Sequence, residues 1–165
     1  MKKFISTLLF MASGVIFGQG LHQTFLSDID SVNEDLEYFL NHNKYIVYAT
    51  SSKILYIVKT QNNYSGLIYE KHENEFKLKT VIPLKDKILN DVFDTKNYQK
   101  GFIDIESDFY KNGIRNINGN PTYFSYVLNT HEKYCEYLLS IIIDPVPLDK
   151  KVFNYISLLF LELEE

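Results

Sequence analysis

The period of the apolar positions changes along the chain, and each change marks an element. From Leu21 to Asn43, Phe25, Ile29, Val32, Leu36 and Phe39 recur at steps of four and three, while Asp28, Asp30, Asn33, Glu34, Asp35 and Glu37 fill most of the gaps. That spacing predicts an amphipathic helix with one apolar face and one strongly acidic face. Between Tyr45 and Ile82 four short runs, YIVYAT, KILYIVKT, YSGLIYEK and EFKLKTVI, are rich in β-branched and aromatic residues. Ser51-Ser52, Gln61-Asn62-Asn63 and His72-Glu73-Asn74 interrupt them. Gaps that short predict hairpins, hence a four-stranded antiparallel meander. In the last run Phe76, Leu78, Thr80 and Ile82 are expected on one face and Lys77 and Lys79 on the other. Pro83 is expected to end that strand, and Leu84, Ile88, Val92 and Phe93 then predict a short connecting helix over Leu84 to Asp94.

Phe102 to Tyr110 alternates again, with Asp104, Glu106 and Asp108 on one face. Turn chemistry follows at Asn112-Gly113 and Asn118-Gly119, residues that tolerate positive φ. Thr122 to Asp144 reads as a hairpin, and its second limb, Leu138 to Ile143, is continuously apolar. A run of that kind suits a strand covered on both faces, which predicts that this limb is the centre of the sheet. After Asp144-Pro145-Val146-Pro147, Leu148, Val152, Ile156, Leu159 and Leu163 form a helical stripe, although FLELE alternates as a strand would. The stripe is the longer pattern and predicts a helix. The order helix, four strands, short helix, three strands, helix predicts an α+β fold: a single, mainly antiparallel, curved sheet of about seven strands with the N-terminal and C-terminal helices packed on one side of it.

Composition adds class and location. The chain is 45% hydrophobic and 23% charged, as globular domains are, and its 165 residues suffice for a core without disulfides or metal. Its single cysteine, Cys135, has no intramolecular partner. Met1 to Gly20 has Lys2 and Lys3 before an apolar stretch, Phe4 to Phe17, and ends Gly18-Gln19-Gly20. This is the layout of a cleavable signal peptide, with cleavage after Gly20 or after Gly18. The apolar run is shorter than the 20 or so residues of a membrane span and contains Ser6, Ser13 and Gly14. The expectation is a signal peptide over residues 1–20 and one domain over 21–165, exported across the inner membrane to the periplasm or exterior, with no stable membrane anchor after cleavage.

Charge excludes one partner class. The chain has 17 basic and 21 acidic residues, and loss of Lys2 and Lys3 leaves 15 against 21, a net charge of −6. Nucleic-acid binding needs a basic excess to release counterions, and the sequence supplies none.

Candidate chemistry is sparse. Alternate residues on a strand lie about 6.5–7 Å apart, so Asp104, Glu106 and Asp108 do not close on one cation. His131 and Cys135 would share a zinc ion on a helix, but on a strand they stand about 13 Å apart. Cys135 resembles no nucleophile motif, although His22, His42 or His72 could reach it through the fold. His72 with Glu73 and Glu75 sits at an exposed hairpin tip, poor ground for shifting a catalytic pKa. No GxSxG, HExxH, Walker or GxGxxG pattern occurs. The sequence therefore predicts no catalytic, metal or cofactor site. It points to a non-catalytic binding or interaction protein, inhibitor-like or immunity-like, whose partner is another protein.

Candidate contact residues are Glu34 and Asp35 on the acidic helix, the lone arginine Arg115 between the Asn-Gly turns, and Tyr123, Tyr126, Tyr134 and Tyr137 on the hairpin. Tyrosine on strands is otherwise ordinary packing. Two alternatives remain: a carrier of a small apolar or aromatic ligand between sheet and helix, and a small hydrolase in which a histidine, His42 or His131, meets an acid in a cleft.

Overall fold

In the computed structural model the described residues are 22–61, 63–104, 121–129, 132–140 and 147–162. A helix, α1, spans 22–40. It leads into β1 (Lys44–Ala49), β2 (Lys53–Lys59), β3 (Tyr64–His72) and β4 (Glu75–Leu84). A single-turn helix α2 (Leu89–Val92) and a 3-10 turn (Thr95–Asn97) precede β5 (Gly101–Asp104). β6 (Pro121–Asn129), β7 (Glu132–Ser140) and the helix α3 (Lys150–Glu162) complete the chain. The fold is α+β, with one open seven-stranded sheet in the order β4-β3-β2-β1-β6-β7-β5. All neighbours are antiparallel except β5, which runs parallel to β7.

The meander β1 to β4 and the hairpin β6–β7 form as their patterns require. The β3–β4 turn is tight, with Glu73 at φ 57°, a conformation a non-glycine residue adopts at some cost. Asp149 caps α3, its Oδ1 accepting from the backbone N–H of Lys151 at 2.9 Å and of Val152 at 3.2 Å. The helix continues through Glu162, so the helical stripe prevails over the alternation in FLELE.

Several expectations are corrected. The middle of the sheet is β1, and β7 lies one strand from the edge. The two long helices do not share a side. Phe25, Ile29, Val32 and Leu40 of α1 pack with Tyr45, Val47, Ile54 and Tyr56, whereas Val152, Ile156, Leu159 and Phe160 of α3 pack with Ile46, Tyr48, Leu55 and Ile57. Successive residues of β1 and β2 thus enter different cores, and the sheet is the middle of three layers. Pro83 does not stop β4. It pairs with Ser65 on an edge strand, where its missing N–H costs no ladder bond.

A bulge also divides β4. Tyr69 pairs with Leu78 and Ile68 with Thr80, leaving Lys79 as the extra residue. Phe76 consequently enters the α1-side core while Ile82 packs against the α3-side core. The single-face reading of Phe76, Leu78, Thr80 and Ile82 fails at that residue.

Candidate functional site

Two places gather candidate functional side chains. The first is built where the start of α1 crosses the β5 end of the sheet. On β7 a strict two-residue period would put Lys133 and Glu136 on opposite faces. A register shift intervenes: Tyr126 pairs with Cys135 and Val127 with Lys133, so Tyr134 is the bulged residue. Lys133 and Glu136 then both face α1, a re-aiming of side chains that bulges permit.

Glu136 Oε1 accepts from the Tyr123 hydroxyl of β6 at 2.5 Å and from Lys133 Nζ at 2.9 Å. His22 Nε2, in the first described turn of α1, comes to 3.2 Å of the same oxygen. Lys133 Nζ also donates to the Tyr123 hydroxyl at 3.3 Å. The His22 ring lies 4.9 Å from that of Phe102, which is exposed on β5, and 6.3 Å from that of Tyr123. Burial by itself would raise the Glu136 carboxyl. The bonds from Tyr123, Lys133 and His22 outweigh it and hold the pKa below the ordinary carboxylate value. Tyr123 is pushed the other way, by burial first and then by the neighbouring Glu136 charge. Its phenol therefore stays protonated and serves as a donor.

Chemically this is a closed network. Three donors already converge on one carboxylate oxygen, which ties α1 to β6 and β7 across 114 residues of sequence. Cys135 takes no part, because it lies in the α3-side core while His22 and Glu136 stand on the α1 side. Burial pushes its thiol up to about 11, against formation of a nucleophilic thiolate. His42 is exposed and bonds through Nδ1 with the Tyr38 carbonyl, and His72 is exposed at the hairpin tip.

The second place is the outer side of α1. Between residues 22 and 40 the helix carries Asp28, Asp30, Glu34, Asp35 and Glu37 and no lysine or arginine. Among the described residues only Asp28 has an ion-pair partner, Lys71 of β3 at 3.2 Å. Glu34 and Asp35 are both exposed. A shallow groove on the helix is lined by Gln23, Leu26, Asp30, Ser31 and Glu34. Tyr38, near the end of α1, is 87% exposed.

The other predicted contact residues divide. Tyr123, Tyr126 and Tyr137 are buried, and Tyr134 is partly buried against the α3-side core. Their hydroxyls serve the interior: Tyr126 donates to the Phe93 carbonyl at 2.8 Å and Tyr137 to the Gln99 carbonyl. The hairpin tyrosines thus pack on both faces and form no exposed group. Arg115, Glu106, Asp108 and His131 lie outside the described residues, as does the expected signal peptide. Sequence reasoning missed the meeting of His22, Tyr123, Lys133 and Glu136. The bulge at Tyr134 and the crossing of α1 create it, and neither has a local signature.

No protein-family model, curated protein or solved structure matches the chain.

Proposed function

We propose that this chain is an exported, non-catalytic protein of the bacterial envelope or exterior that binds another protein through the acidic side of α1. The observation that carries the reading is the charge of that helix: five carboxylates, no cation of its own, and one ion pair among the described residues. A surface of one sign attracts and orients a partner of the other, and the partner is accordingly a protein with a basic face. Three further observations support it. The Glu136 cluster spends its donors internally, Cys135 is held as a thiol, and a helix packs over a buried core on each face of the sheet, leaving the β4 edge open on the α1 side.

Export rests on Met1 to Gly20 and is checked by N-terminal sequencing of the protein recovered from its source, which should begin at Leu21 or Gln19. A chain recovered with Met1 and the apolar segment intact would contradict it. For the partner, the tagged protein is used to capture material from the envelope fraction and medium of its source. One stoichiometric protein is expected, lost on Glu34→Lys with Asp35→Lys and retained on Lys77→Glu with Lys79→Glu. Capture that is indifferent to the first pair removes the role of α1.

The hydrolase alternative has one observation in its favour, the convergence of His22 with Glu136. It requires turnover of an ester or amide substrate that His22→Gln abolishes.

A further inference from the structure

This inference rests on α1 as the partner-binding element and places the partner beside it. α1 reaches β6 through the Phe25 and Tyr123 rings, β2 through Asn33 and Tyr56, and β3 through Asp28 and Lys71. Beyond Phe76, β4, the edge strand next to β3, is left uncovered on that side.

The residues left uncovered are apolar. Leu78 pairs with Tyr69 and Val81 with Leu67, and Tyr69 and Leu67 belong to the α1-side core. Leu78 and Val81 therefore face the α1 side, where they are 50% and 55% exposed. Pro83, opposite Ser65, is exposed in the same row. Of the nearby lysines, Lys77 pairs with Glu70 and Lys79 bonds Glu70 at 2.7 Å on the α3 side, while Lys71 faces α1 and is paired there with Asp28 at 3.2 Å. Asp35 of α1 is exposed and lies close enough to Tyr69, the partner of Leu78, for its charge to add to burial in raising that phenol. Tyr38 follows Asp35 by three residues, on the same flank of the helix.

The edge of β4 itself is poorly suited to accept an eighth strand. The bulge at Lys79 and the proline at position 83 both blunt it. A second copy of this chain is disfavoured as the occupant, because it would bring Asp35 against another acidic helix. We infer that an amphipathic basic helix of the partner lies alongside α1 on β4, its apolar side over Leu78 and Val81 and its cations against Asp35 and the Tyr38 ring.

The probe is a fluorescent leucine–lysine peptide, about 18 residues or five helical turns long. Its serine–lysine counterpart has equal charge. Both are titrated into the purified protein. The leucine peptide should bind at least about tenfold more tightly, and Leu78→Glu with Val81→Glu should erase that advantage. Because both side chains are half exposed, the double variant should keep the wild-type circular dichroism and unfolding temperature. Asp35→Asn should weaken both peptides.

An advantage that survives the double variant overturns the placement. So does a concentration-dependent dimer that the double variant abolishes, since the occupant is then a second copy. Equal binding of the two peptides, lost on Glu34→Lys with Asp35→Lys, also overturns the placement but leaves the acidic-helix reading standing. Binding of neither peptide overturns both.

Discussion

The Tyr123 hydroxyl meets Glu136 Oε1 at 2.5 Å across the β6–β7 pair, and it is the shortest of the three approaches to that oxygen. Through His22, at 3.2 Å from the same oxygen, Glu136 joins the first described turn of α1 to the sheet. Glu136→Gln removes the charge that Lys133 meets, at an expected cost of about 1–3 kcal/mol. The pH dependence has a definite sign. The folded pKa of Glu136 lies below the model-compound value of 4.5, so its stabilisation is present above about pH 4.5 and is lost as pH falls through the folded value. Chemical denaturation of both proteins should show a constant gap near about pH 6–7 that closes in acid. A gap that is unchanged in acid would contradict the role given to this carboxylate.

Tyr56 is fully buried on β2, and its hydroxyl donates to Asn33 Oδ1 of α1 at 2.9 Å, with the Ile29 carbonyl only at 3.5 Å. Asn33→Ala leaves that hydroxyl without a good acceptor and should cost about 1–3 kcal/mol. Tyr56→Phe in the Asn33→Ala background should recover part of the loss, because no buried donor then remains orphaned. A double-mutant cycle with additive single effects would show that the bond contributes nothing.

Lys53 is a lysine inside a core. It is 4% exposed, donates through Nζ to the Phe160 carbonyl at 2.6 Å and lies 4.6 Å from the centre of the Phe160 ring. A cation at a carbonyl of the last helical turn also complements the macrodipole, so Lys53 fastens the end of α3 to β2. Lys53→Ala should cost about 2–5 kcal/mol, as loss of a buried, bonded long side chain does. Urea unfolding gives the value, and a loss below about 0.5 kcal/mol would show that water replaces the lysine.

Elements specified by local pattern were legible in the sequence. The acidic helix, the meander, the β6–β7 hairpin and α3 follow from apolar spacing and turn residues within each segment. The layer arrangement was misread, with both helices expected on one side and the β7 limb at the centre, although the covered strands carry a signal of their own. Tyr45 to Ala49 and Ile54 to Val58 are uninterrupted apolar stretches, and such stretches require cover on both faces of the sheet. The bulges at Lys79 and Tyr134 were not legible, because an extra residue is defined by the partner strand's register rather than by its own chemistry. The same limit hid the Glu136 cluster, whose histidine and carboxylate stand 114 residues apart. Of the candidate contact residues, Glu34 and Asp35 lie exposed as an acidic helix face implies, while Tyr123, Tyr126 and Tyr137 obey strand packing.

The central claim is that the carboxylates of α1 touch the partner. The most direct test is carbodiimide cross-linking of the captured complex followed by peptide mass spectrometry, because the reagent joins a carboxylate to a lysine in contact with it. Cross-links from Glu34, Asp35 or Glu37 to lysines of the partner are the predicted result. Cross-links confined to Glu73 and Glu75 at the β3–β4 turn, or to Asp104 at the opposite edge, would contradict it.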